Sequence, residues 1–133
     1  MRKGMYLDSS AMISVLLQQP GWEDVSRRMD DHGGKLITSP VSFCETVAAI
    51  AGERPTSDAI AKASELVTDF MAEAGVQAVT ISGAQTRAAL DAWSEQFSTD
   101  QGPAPAITDM LILGVAKSFR CGLLSTGDRF PNA

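Results

Sequence analysis

Short apolar segments along the chain alternate with longer segments in which apolar residues recur every three or four positions. This alternation predicts strands that alternate with helices. The predicted strands cover residues 3–7, 35–38, 77–81 and 122–125. The predicted helices cover residues 10–17, 22–31, 41–51, 60–74, 83–97 and 109–119. We therefore expect an α/β fold, a three-layer α/β/α sandwich with a central parallel sheet of four to five strands.

The predicted helix over residues 83–97 carries its largest apolar residues on one face. Ser82 and Gln85 form a capping-box pattern at its start. Leu90, Trp93 and Phe97 follow at spacings of three and four residues. We expect this face to contact the core or a second copy of the chain.

Length and composition favour one compact domain over residues 1–133. The chain is 44% hydrophobic and 20% charged, which excludes a disordered protein. No segment approaches the roughly 18 uninterrupted apolar residues of a membrane span. The two cysteines, Cys44 and Cys121, cannot form a disulfide framework. These features predict a cytoplasmic protein with reduced thiols and no membrane partner.

The net charge of −5 argues against a broad basic surface that holds nucleic acid. A nuclease remains possible, because acidic residues concentrated in one metal site leave the rest of the surface nearly neutral. If four of the 16 acids formed such a site, 12 acids would face 11 basic residues, a remainder of −1.

Three acidic residues stand at positions where parallel sheets collect ligands. Asp8 follows the first predicted strand, Asp128 follows the last, and Asp109 opens the helix that leads into the last strand. Ligands bind in the crevice beyond the carboxyl ends of such strands, where the strand order reverses. Glu45 stands out for another reason, because its predicted helix has little polar character. A buried carboxylate requires a cation or hydrogen bonds.

Each acid also has a purely structural interpretation. Asp8 can cap the following helix, Asp109 can complement a helix dipole, and Asp128 can belong to a Gly-Asp turn. Converging carboxylates would instead repel one another unless a cation joined them. Oxygen ligands without His or Cys favour Mg²⁺ or Mn²⁺ over zinc.

Four stretches in order resemble the motifs of one family. They are MYLDSSA (residues 5–11), SFCE (42–45), Asp109 with LILGVAK (111–117), and LLSTGDRF (123–130). Order, spacing and predicted secondary structure agree over nearly the whole chain. The chain resembles the PIN-domain family, in particular the toxin ribonucleases of bacterial VapBC toxin–antitoxin pairs.

The resemblance implies a metal-dependent endoribonuclease with an acidic quartet. Asp8, Asp109 and Asp128 would hold Mg²⁺ or Mn²⁺, while Glu45 would ligate a second ion or position the attacking water. Ser10 would match the family's hydroxyl residue beside the first Asp. It also implies an RNA substrate cleaved to leave a 5′-phosphate, a homodimer, and a cognate VapB-type antitoxin that occludes the site.

Two positions differ from the family pattern and bear on substrate contacts. Relatives often carry Leu-Asn shortly before the third acid and Lys before Gly-Asp, where this chain has residues 106–108 (Ala-Ile-Thr) and Thr126. The acids themselves are retained, so we expect activity with different substrate contacts. Arg129, next to Asp128, is in the best position to bind a backbone phosphate.

Two other classes of protein compete with the nuclease. A small Mg²⁺-dependent phosphatase also uses aspartates at strand ends, but it needs a second Asp two residues after the first, where Ser10 stands. A non-catalytic PIN-like interaction module would keep the fold without the chemistry. Metal binding by the purified chain would distinguish a metal-dependent enzyme from a non-catalytic module.

Overall fold

A computed structural model describes residues 3–96, 106–127 and 130. Its elements, in chain order, are β1 (Met5–Leu7), α1 (Ser9–Leu16), α2 (Trp22–Asp31), β2 (Leu36–Thr38), α3 (Pro40–Ala51), α4 (Ser57–Ala74), β3 (Val76–Ala78), α5 (Gly83–Gln96), α6 (Ile107–Ser118) and β4 (Gly122–Leu124). Helices and strands thus occur in the predicted order, with shorter strands than the pattern indicated.

The sheet contains four parallel strands in the order β3-β2-β1-β4. The chain steps from β1 outward through β2 to β3 and then returns to place β4 on the other side of β1. The strand order therefore reverses between β1 and β4, which makes their carboxyl ends the topological switch point. Leu7 pairs with Leu124 at these ends.

Helices cover both faces of the sheet, and β1 contributes to a core on each. Met5 and Leu7 lie in one cluster with Met12 of α1 and Val67 of α4. Tyr6 lies in the other cluster, which includes Ile112, Val115 and Ala116 of α6. Successive side chains of a strand point to opposite faces, so this division makes the fold a three-layer sandwich. The predicted fold class is confirmed.

The prediction that the face of α5 with Leu90 and Trp93 contacts the core is wrong, whereas its contact with a second copy of the chain stays a prediction. Leu90 and Trp93 are 54% and 45% exposed, whereas Ala89 and Ala92 are buried; Phe97 lies outside the described residues. The reason is the close approach of α6. A Cβ atom on Gly114 would lie 2.5 Å from the backbone N and Cα of Ala89, so only small residues fit between the two helices.

The capping pattern before α5 is present in part. The backbone N–H of Ser82 donates to Oε1 of Gln85 at 2.8 Å, and the Ser82 hydroxyl contacts the same oxygen. Across the part of the chain that the structure describes, every helix is too short or too polar to cross a membrane.

Candidate active site

Asp8 is a fully buried carboxylate at the end of β1. It is the N-cap of α1, and its Oδ1 accepts a hydrogen bond from the backbone N–H of Ala11 at 3.0 Å. An Asp at this position satisfies a backbone donor that the first helical turn leaves without a partner. The capping interpretation of Asp8 is therefore confirmed, although capping uses only part of its hydrogen-bonding capacity.

Two serine hydroxyls hold the same carboxylate. The Oγ of Ser10 donates to Oδ1 of Asp8, and the Oγ of Ser125 donates to Oδ2, each at 2.6 Å. The backbone N–H of Thr126 donates to Oγ of Ser10 at 2.8 Å, which joins the start of α1 to the end of β4. Ser10 was expected beside Asp8; Ser125 was not.

Among the residues that the structure describes, the donors that contact Asp8 are neutral. They are one backbone N–H and two hydroxyls, from Ala11, Ser10 and Ser125. Hydrogen bonds to an ionised carboxylate are stronger than those between neutral groups, and they offset part of the cost of burying its charge. Both carboxylate oxygens of Asp8 are therefore hydrogen-bonded, one of them by Ser125 of the neighbouring strand end.

Glu45 lies on α3 and contacts the residue that follows Asp8. Its Oε1 accepts a hydrogen bond from Oγ of Ser9 at 3.1 Å, and its side chain is half-buried. The buried residues of α3 are the polar Ser42 and Thr46. The helix has few polar residues, as expected, but two of them are its buried residues, while several apolar residues line a groove.

Tyr6 fixes the first turn of α3 from the sheet. Its hydroxyl lies 2.7 Å from both the Ser39 and the Ser42 hydroxyl, and all three side chains are buried. Burial raises the pKa of Tyr6 above its ordinary value of 10.0, and the charge of Asp8 adds to the rise; hydrogen bonds with Ser39, Ser42 and Thr38 act in the opposite direction. Tyr6 therefore remains a neutral hydrogen-bonding anchor near Glu45.

Asp109 lies in the first turn of α6 and is half-buried. The helix begins at Ile107 with Ala106 as its N-cap, so Thr108 lies within the first turn. The helix α6 contacts α3, which carries Glu45.

The fourth acid, Asp128, and its neighbour Arg129 lie outside the described residues. Among the residues that are described, no three His, Cys, Asp or Glu side chains group closely enough to hold a metal ion. The structure therefore joins Asp8 with Ser10, and Ser9 with Glu45, while the convergence of the full quartet stays a prediction.

The chain belongs to the PIN-domain family, because residues 5–133 match the model of that family, described as PIN domain. A VapC ribonuclease of Rhizobium meliloti (strain 1021) is similar to it, with 31% identity over 134 residues that cover 94% of each protein. The family resemblance drawn from the four motifs, including its VapC type, is thereby confirmed.

Solved structures of more distant relatives share the fold. The toxin VapC20 of Mycobacterium tuberculosis, which cleaves the sarcin–ricin loop, has a TM-score of 0.70 at 11% identity and covers 96% of this chain and 92% of its own. VapBC2 of Rickettsia felis, bound to a DNA fragment from its promoter, gives 0.66 at 12% identity and covers 96% and 91%.

Proposed function

We propose that the chain is a metal-dependent endoribonuclease and the toxin of a VapBC-type toxin–antitoxin pair. The observation that carries the proposal is Asp8, a buried carboxylate at the switch point of a PIN fold, which neutral donors hold within the described part of the chain. The similarity to the VapC ribonuclease of Rhizobium meliloti supports the same activity.

The oxygen donors of the site fit Mg²⁺ or Mn²⁺. From the described residues, Oδ1 of Asp8 accepts two hydrogen bonds and Oδ2 accepts one, and these bonds leave a lone pair of Oδ2 for a cation. Asp8, Asp109 and Asp128 would hold the ion, and hard divalent cations prefer such carboxylate ligands. A bound ion supplies a nucleophilic water and neutralises charge on the phosphate.

The remaining site residues act on water and substrate. Glu45, held by Ser9, orients the attacking water or ligates a second ion. The guanidinium of Arg129 and the remaining lone pair of the Ser10 hydroxyl bind the RNA close to the cleaved bond. These roles make Glu45 the fourth catalytic acid beside Asp8, Asp109 and Asp128.

The partners follow from the same assignment. Residues 1–133 form a single PIN-like domain that acts in the cytoplasm as a homodimer, and a VapB-type antitoxin occludes the acidic site. The Rickettsia felis relative, whose structure contains a VapBC complex, supports the antitoxin. An antitoxin that inserted an Arg or Lys among the carboxylates would replace the charge of the ion.

Cleavage of RNA by the purified chain in Mg²⁺, Mn²⁺ or EDTA tests the activity. We expect cleavage with either ion, none with EDTA, and at least a 100-fold loss in Asp8→Asn and Glu45→Gln, since each change removes one charge at nearly constant volume. The control is Ser57→Ala, a change at an exposed residue that begins α4. A fully active Asp8→Asn variant would contradict the proposal.

Growth of a host that expresses the chain tests the toxin role. The chain alone should arrest growth, and co-expression of the adjacent reading frame should restore it. Unaffected growth in both cultures, together with no RNA cleavage in vitro, would favour the non-catalytic interaction module.

A further inference from the structure

Ser125 contacts the carboxylate of Asp8 from a different strand. The two residues are 117 positions apart in the chain, yet their side chains meet at 2.6 Å between Oγ and Oδ2. The parallel register explains the contact. Leu7 of β1 pairs with Leu124 of β4, and the backbone N–H of Asp8 donates to the carbonyl of Leu124 at 3.3 Å. Asp8 and Ser125 are therefore equivalent residues, each directly after its strand.

The hydroxyls of Ser10 and Ser125 both donate their hydrogen atom to the carboxylate of Asp8. Ser10 donates to Oδ1 and Ser125 donates to Oδ2, while Ser10 also accepts from the N–H of Thr126. Each hydroxyl has one hydrogen to donate. The two serine oxygens lie 3.1 Å apart because both hydroxyls bind the same carboxylate.

The donors are divided unequally between the carboxylate oxygens. Among the described residues, Oδ1 accepts from Ala11 and Ser10, whereas Oδ2 accepts from Ser125. The carboxylate is planar, so rotation about its Cβ–Cγ bond moves both oxygens together, and the bonds to Oδ1 oppose this rotation from the start of α1. The bond from Ser125 opposes it from the end of β4 and thereby helps to set the direction in which Oδ2 faces a cation.

We propose that Ser125 is a positioning residue that orients Asp8 for a divalent cation; this inference rests on the proposed function. Groups that hydrogen-bond a metal ligand hold it in its binding orientation, and their loss weakens metal affinity by about 10- to 100-fold. The Ser10 hydroxyl cannot replace Ser125, because its hydrogen is already donated to Oδ1.

Calorimetric titration with Mn²⁺ tests the role without using activity. Ser125→Ala should weaken Mn²⁺ binding about 10-fold, and Ser125→Thr, which retains the hydroxyl, should bind within about threefold of the unmodified chain. Ser57→Ala, at the exposed start of α4, is the control and should not change the affinity. Melting curves in EDTA identify the variants that are folded.

The outcomes separate this inference from the proposed function. Unchanged Mn²⁺ affinity in folded Ser125→Ala would overturn the positioning role, as would equal weakening in Ser125→Thr. Mn²⁺ binding that depends on Ser125, without any RNA cleavage by the unmodified chain, would overturn the ribonuclease and leave the positioning role standing. An unmodified chain that bound no Mn²⁺ would overturn both.

Discussion

Two helix pairs flank the candidate site, and they pack in opposite ways. At the α5–α6 interface the backbones approach so closely that Gly114 faces the backbone of Ala89. Polar contacts fasten this pair as well, since Gln85 Nε2 donates to Ser118 Oγ at 2.9 Å and Lys117 Nζ lies 2.8 Å from Glu95 Oε2.

The α3–α4 interface instead opens into an apolar cavity of about 510 Å³. Phe43, Val47 and Ala48 of α3 line it, with Ile60 and Ser64 of α4 opposite.

The difference shows that the two helices that carry acids are fixed by different means. The helix α6, with Asp109, is held by close contact with α5. The helix α3, with Glu45, is held at its first turn by hydrogen bonds from Tyr6. A change in either interface should therefore affect stability according to how closely the helices approach there.

The largest effect is expected where the backbones touch. Gly114→Ala places a methyl group 2.5 Å from the Ala89 backbone, so the helices must separate, and we expect a loss of about 2–3 kcal/mol in the free energy of unfolding. Gly83→Ala, at the first residue of α5, is the matched control because nothing lies within 4 Å of the added atom. Urea denaturation measures both; equal effects would show that α5 and α6 are not in close contact.

A smaller loss is expected at the anchor of α3. Tyr6→Phe removes the hydroxyl that contacts Ser39 and Ser42, so two buried hydroxyls lose a partner. We expect the free energy of unfolding to fall by about 1–2 kcal/mol. The same denaturation experiment measures it. A variant as stable as the unmodified chain would show that the two serines satisfy each other.

In the unmodified chain, the stabilising effect of Tyr6 should decrease at alkaline pH. The pKa of Tyr6 is raised above 10.0 in the folded state, so above that pH the unfolded chain loses the proton first. The contribution of Tyr6 to the free energy of unfolding is fully present below pH 10. It decreases as the pH rises toward the pKa of the folded state, by at most about 1.4 kcal/mol per pH unit.

Tyr6 is the single tyrosine of the chain, so phenolate absorbance reports its titration directly. The unfolding free energy of Tyr6→Phe should lack this component. A folded-state titration at or below the ordinary value would contradict the burial of the phenol.

The smallest effect is expected in the open interface. Ala48 is exposed at the cavity, so Ala48→Leu adds apolar volume where no atom must move. We expect the free energy of unfolding to change by less than about 1 kcal/mol. A loss as large as that of Gly114→Ala would mean that α3 and α4 close in solution.

The sequence predicted the fold class because periodicity and the alternation of elements are local properties. It failed on the core contact of Leu90 and Trp93, since large apolar residues usually point inward, whereas α6 comes close to the backbone of α5 at the small residue Ala89. That approach depends on Gly114, which lies on another helix, and no local pattern links the two.

The site was predicted in part for a similar reason. Asp8 and Ser10 are close in sequence and fit both a helix cap and the family motif. Ser125 contacts Asp8 only because β4 lies beside β1 in a particular register, and one sequence does not specify that register. The signal that could have found it is its place directly after the last strand.

The distance along the chain between Asp8 and Ser125 has a consequence for synthesis. At roughly 5–20 residues per second, roughly 6 to 23 seconds pass between the translation of the first strand and of its last neighbour. A nascent chain that ends before β4 has no partner strand on that side of β1 and no hydroxyl from Ser125 on Asp8. A chain that ends before β4 would thus lack part of the candidate site, and we expect any RNA cleavage to begin only after β4 has been translated and has paired with β1.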